Sequence, residues 1–141
     1  MSEVYSVDVE ITAPVYDTEV TDRVADAITN VFPNADIEQR PGELHAETHD
    51  LEHFSELLHR REILDTARGV FFDNLQGDRF SFTLKKQAAF EGVVTFSVGE
   101  PDELGEINVS VRVEEPDGES YIDHVAPPTA DGRPIDPEGS A

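Results

Sequence analysis

Cysteine is absent from the 141 residues, and so is tryptophan. Without thiols there is no disulfide framework, no thiolate metal site, no cysteine nucleophile and no redox switch, so stability has to come from packing. No stretch approaches the roughly 20 apolar residues that span a bilayer, and Met1–Glu10 has no basic region followed by an apolar run. The chain is therefore expected to be cytoplasmic, with no membrane partner. Positive charge is scarce. Ten basic residues, of which only Lys85 and Lys86 are lysines, face 31 acidic ones, for a net charge of -21. Such a chain repels itself in ordinary buffer, whereas at about 1 M salt the Debye length shrinks to about 3 Å and distant carboxylates hardly interact. A high-salt cytoplasm is the expected setting. An acidic disordered chain would lack the periodic apolar segments found here within a 38% hydrophobic composition.

Those segments alternate between strand and helix periods. Tyr5, Val7, Val9, Ile11 and Ala13 point one way against Ser6, Asp8, Glu10 and Thr12, the mark of a half-buried strand ended by Pro14. Asp17 or Thr18 then caps a helix carrying Val20, Val24, Ala27, Ile28 and Val31, stopped by Pro33. Two short strands, 35–39 and 43–48, turn through Arg40, Pro41 and Gly42. Apolar stripes through Leu51, Phe54, Leu57 and Leu58, and through Ile63, Leu64, Ala67, Val70, Phe71 and Leu75, predict two helices or one bent helix closed near Gly77. Strand alternation returns in Phe80, Phe82 and Leu84, in Val94, Phe96 and Val98, and in Ile107, Val109, Val111 and Val113. Each long strand has one polar face, so the fold class is α+β: a two-layer sandwich, its mostly antiparallel sheet covered by helices on one face and open on the other. Residues 1–114 form a single domain. Residues 115–141 read as a Pro/Gly-rich acidic tail, partly docked through Tyr121, Ile122, Val125 and Ala126 or disordered.

Few strings suggest chemistry. His49, Asp50, Leu51, Glu52 and His53 match an inverted zinc-peptidase pattern, with His45 nearby. That pattern also needs a third ligand and a shielded cleft, and a solvated helix face explains the residues equally. No serine lies between glycines as a nucleophile elbow requires, and the nine glycines form no phosphate loop. No catalytic residue, metal site or cofactor is assigned, and the chain is read as a non-enzyme. The cations, by contrast, are gathered. Residues 60–86 hold Arg60, Arg61, Arg68, Arg79, Lys85 and Lys86 against four carboxylates, net +2, while the rest of the chain is net -23. Arginines grip phosphate in two-pronged fashion, and Arg79 and Lys85 are expected to project from the open sheet face beside Ser81 and Thr83. These six are the candidate RNA contacts, with Phe90 a candidate stacking residue. The bland alternative is ion pairing across the sheet with Asp8, Glu10 or other carboxylates.

Several strings resemble a known family. Thr18 and Glu19 lead to the helix end Asn30, Val31, Phe32, Pro33; then come Ile63, Leu64, Asp65, Thr66, Ala67, Arg68, and Lys86, Gln87, Ala88, Ala89. The segment Ala126, Pro127, Pro128, Thr129 with Asp131 and Gly132 completes the set. Together they resemble an uncharacterised archaeal family described as predicted RNA-binding, whose fold is similar to the ribosomal protein that holds 5S RNA. The resemblance implies a ribosomal-protein-like fold, a haloarchaeal member, RNA as partner, and ribosomal or RNA-processing proteins as neighbours. It supplies no catalytic residues. A protein-interaction adaptor without nucleic acid, built on the open face and the tail, and a metal-dependent hydrolase on His49, Glu52 and His53 are the alternatives.

Overall fold

A computed structural model describes residues 5–97, 105–130 and 133–134. Its elements run β1 (Ser6–Pro14), α1 (Thr21–Val31), β2 (Asp36–Arg40), β3 (Glu43–Thr48), α2 (Glu52–Arg60), α3 (Leu64–Asp73), β4 (Arg79–Lys85), α4 (Lys86–Ala89), β5 (Glu106–Glu115), α5 (Gly118–Val125), β6 (Thr129–Ala130) and β7 (Arg133–Pro134). The first five strands make one antiparallel sheet ordered β2-β3-β1-β5-β4, and β6 pairs with β7 separately. The architecture is the expected α+β sheet with helices on one face and the other face open.

Strict alternation sets which face is buried. Val7, Val9, Ile11 and Ala13 of β1 lie inward with Phe80, Phe82 and Leu84 of β4 and Ile107, Val109, Val111 and Val113 of β5. The helices supply the facing layer through Val24, Ala27, Ile28, Phe54, Leu58 and Phe71. At its centre the Phe54 ring stacks on Phe82 at 5.1 Å and on Phe32 at 5.5 Å, geometry that adds to simple area burial. Phe71 meets Phe80 and Phe82 at 5.1 and 5.0 Å.

Local detail corrects or resolves the expectation at four places. The N-cap of α1 is Val20, not Asp17 or Thr18, and no side chain caps it; the Glu19 carboxylate just before it accepts from the Tyr16 N–H and Lys86 Nζ. The apolar stripes of residues 51–75 form two separate helices, α2 and α3, joined by a turn at Glu62 whose φ is 56°. There the Ile63 N–H reaches back to the Leu58 carbonyl at 3.1 Å and the Glu62 N–H to that of His59 at 3.2 Å, the paired bonds of a Schellman end. The strand expected through Val94, Phe96 and Val98 is reduced to one bridge, Leu84 to Phe96, flanked by Lys85 N–H to Thr95 O and Ser97 N–H to Thr83 O; Val98 lies outside the described residues. Finally, Tyr121, Ile122 and Val125 belong to a helix, α5, and are buried together with Ala126. No helix among the described residues is long and apolar enough to cross a membrane.

Candidate nucleic-acid interface

The six clustered cations go to four different places. Lys86 is driven inside: its side chain is 0% exposed, and Nζ donates to the Pro14 carbonyl and to Glu19 Oε1, both at 2.7 Å, above the Tyr16 ring. The ammonium is spent on the interior, which removes Lys86 from the surface set. Arg68 is a staple. Its Nη1 donates to Asp123 at 2.6 Å and to the Ala126 carbonyl at 3.2 Å while the guanidinium lies over Phe72, fastening α5 to α3.

Arg79 and Lys85 occupy alternate positions on the open side of β4, with Ser81 and Thr83 between them, as the alternation requires. The open face is divided along its width. Register places Glu47 opposite Glu10 and Asp36 opposite Glu47, so the β2-β3-β1 half is lined by carboxylates. Across β5 and β4 the rows are Ser110 with Ser81 and Asn108 with Thr83, bounded by Arg112 with Arg79. Arg112, outside the cationic window, is held by Asp8 at 2.5 Å and Glu114 at 3.0 Å. That hydrogen bond keeps the Asp8 carboxyl below its ordinary value and holds the Arg112 guanidinium's pKa above its own. Asp8, offered by the bland alternative as a partner for the clustered cations, is thus taken by Arg112, which is not one of them. The strands present no Phe, Tyr or Trp on this face; the one aromatic ring they place there is the imidazole of His45 on β3.

Arg60 and Arg61 differ from all of these. They close α2, where cations complement the helix C-terminus, and both are exposed. Among the described residues neither is held by a carboxylate. The Schellman turn aims them at a groove of about 610 Å³ between the α2–α3 turn and the chain beside the β4 edge. Its floor is Ile63, Val93, Val94 and Phe96, its polar lining Thr66 and Thr95, and Glu62 shares the rim. Lys85 stands next to it, since its N–H bonds the Thr95 carbonyl. The groove was illegible in sequence because its two walls are about 30 residues apart, and the 93–96 wall is placed by its Leu84–Phe96 bridge to β4. Phe90 is half-buried with the Arg23 guanidinium 5.6 Å above its ring, away from these residues' walls.

The histidines do not converge. His49 Nδ1 faces the Val7 carbonyl and Asp8, Glu52 turns to His124 Nε2 at 2.9 Å, and His53 sits beside Glu56. Leu51, between them, is buried. Among the described residues no group of three or more His, Asp or Glu side chains is arranged to hold a metal ion.

Comparison with known proteins agrees with this architecture. Residues 8–114 match the family model described as RNA binding. A UPF0200/UPF0201 protein of Archaeoglobus fulgidus is 36% identical over 92% of this chain, although the chain spans only 40% of that protein's length. A UPF0201 protein of Methanopyrus kandleri is 38% identical, covering 90% of this chain and 89% of its own. The crystal structure of the Methanococcus jannaschii UPF0201 protein superposes with a TM-score of 0.85 at 35% identity, over 92% of this chain and 99% of that one. With the family match extending over most of the sheet and these relatives aligned almost end to end, the chain belongs to the archaeal UPF0201 family and its RNA-binding family domain.

Proposed function

We propose that the chain is a non-enzymatic RNA-binding or ribonucleoprotein-associated protein whose contact begins at Arg60 and Arg61. The observation that carries this reading is a pair of exposed arginines without carboxylate partners among the described residues, beside an apolar-floored groove in a protein of net charge -21. Among the described residues Arg23 and Arg79 also lack a carboxylate partner, but Arg60 and Arg61 are adjacent and line one groove, and guanidinium groups match phosphate geometry. Lys85, adjoining the groove, and Arg79, farther along β4, extend the contact set. The family description as RNA binding and the lack of an enzymatic name among its relatives support the same class. The family resemblance read in the sequence implies a fold akin to the ribosomal protein that holds 5S RNA, and with it the ribosome or RNA processing as the proposed setting. The acidic remainder suggests the high-salt cytoplasm of a haloarchaeon.

RNA cross-linked in the protein's own cells tests this. Discrete RNA is expected to copurify with the wild type and to fall at least tenfold for the Arg60→Ala/Arg61→Ala protein. RNA retained by that variant moves the site, and no enrichment over an unrelated acidic protein overturns the function.

A second reading, an interaction adaptor, is favoured by one observation: the A. fulgidus relative joins a segment like this one to a longer remainder. Regions fused in one chain often associate when separate. If the remainder, expressed alone, does not bind the matching segment in analytical ultracentrifugation, the adaptor reading is lost.

A further inference from the structure

Resting on the RNA reading above, we infer that the groove beside the α2–α3 turn takes an unpaired nucleotide, its base over Ile63, Val93 and Phe96 and flanking phosphates on Arg60 and Arg61, and does not read duplex RNA. Size is the first argument. The cavity of about 610 Å³ falls in the range of small-ligand pockets, roughly 300–1,000 Å³, whereas duplex recognition spans about 16 base pairs of minor groove and backbone.

The lining is the second. Ile63, Val93 and Phe96 are half-buried, so each leaves apolar surface for a base, and the cations stand at one rim only. A site built for backbone phosphate alone has no use for an apolar floor; a base needs one. Thr66 and Thr95 add hydroxyls of the kind that bond a base edge or a ribose.

Charge outside the groove is the third. Glu62 shares the rim, Glu52 and Glu56 follow along α2, Asp65 and Asp73 along α3, and the far half of the open face is carboxylate-lined. A duplex laid across these would set many phosphates against carboxylates, while one extruded nucleotide meets a rim where Arg60 and Arg61 outnumber the single carboxylate, Glu62. The groove is also preformed. The Schellman bonds fix the backbone that carries both arginines, and Phe96 is held edge-on by Phe54, Phe71 and Phe82 at 6.4, 6.0 and 5.9 Å, so little ordering is required on binding.

The test uses fluorescence anisotropy with the full chain, a randomised 10-nucleotide single-stranded RNA pool and a 20-base-pair RNA duplex. KCl is varied within the range where circular dichroism shows the fold intact. Single strands are expected to bind at least tenfold tighter than duplex, with a log–log salt slope of about -1.4 for two phosphates, falling by about 0.7 in Arg60→Ala or Arg61→Ala. Val93→Asp, which puts charge on the floor, is expected to lose single-strand binding at least tenfold; the two exposed arginine variants keep the test decisive if that protein misfolds. Duplex binding as tight as single strand, through the same arginines, overturns the inference and leaves the RNA function standing. No binding of either RNA overturns both, and single-strand binding indifferent to all three variants overturns the groove as the site.

Discussion

Lys86 carries its charge into the interior, with Glu19 as partner at 2.7 Å and side chains 0% and 7% exposed. Taking two ions out of water costs several kcal/mol each, and the pair recovers it only if every remaining polar atom is satisfied. Here Glu19 Oε2 is buried with no hydrogen-bond partner among the described residues, so compensation is incomplete. Removing one partner must then strand the other. Lys86→Met is expected to destabilise the protein by about 3–5 kcal/mol in urea titration, and Lys86→Met/Glu19→Leu to recover most of the loss. A neutral single variant would mean that water reaches Glu19 and that the pair is not buried in solution. The same scale explains why the cationic window divides: a lysine stem after the last strand residue of β4 continues into α4 and turns under Pro14, whereas the arginines at the end of α2 have no wall to enter.

The fastening of α5 is the clearest case at the level of elements. Asp117 caps it by accepting from the Ser120 N–H at 2.8 Å, and Asp78 accepts from the Gly118 N–H at 3.0 Å. Tyr121 then crosses to α2, its hydroxyl accepting the Leu51 N–H at 3.0 Å, and Ser55 Oγ donates to the Val125 carbonyl at 2.7 Å. An N-terminal amide of α2 is thus satisfied by a side chain 70 residues away. Tyr121→Phe leaves that amide buried without an acceptor, an expected loss of about 1–3 kcal/mol. Burial also raises the phenol's pKa above its ordinary 10.0. A raised folded value means that its contribution is complete below the unfolded pKa and is lost as pH climbs through the folded one, so wild type should lose stability above about pH 10 more steeply than Tyr121→Phe. Urea midpoints at pH 8 and pH 10.5 check both statements; parallel curves would mean Tyr121 is not buried. Strands β1, β4 and β5 were legible because strict alternation permits one register of burial, and α2 and α3 because their stripes recur at helical spacing. Helix α5 was not, since Pro116, Gly118, Pro127 and Pro128 dominate its neighbourhood and its four apolar residues gain meaning only against Leu51, Ser55 and Arg68.

Over the whole molecule, the candidate site was half legible. Composition located the cations, but which of them reach solvent depends on packing between segments distant in sequence, and so does the pairing of Arg112 with Asp8 across 104 residues. The groove itself had no linear signature. What does follow from composition directly is self-repulsion: 31 carboxylates against 10 cations, with Glu10 facing Glu47 and Glu47 facing Asp36 on one sheet face. At 0.1 M salt, where the Debye length is about 10 Å, neighbouring rows of the sheet still repel; at 1 M, near 3 Å, they scarcely do. The urea midpoint is therefore expected to rise with KCl from 0.1 to 2 M, most of the gain coming below about 1 M, where screening is still changing. A midpoint flat across that range would show that the charges are already relaxed by local pairing such as that of Asp8, Arg112 and Glu114. The same ions weaken phosphate contacts, so stability and RNA affinity should run in opposite directions with salt. A ligand held by two phosphates loses about 65-fold over that interval at a slope of -1.4, far less than one held by ten, which would be released. On the proposed reading, a footprint that small would let one chain both fold and bind in high salt.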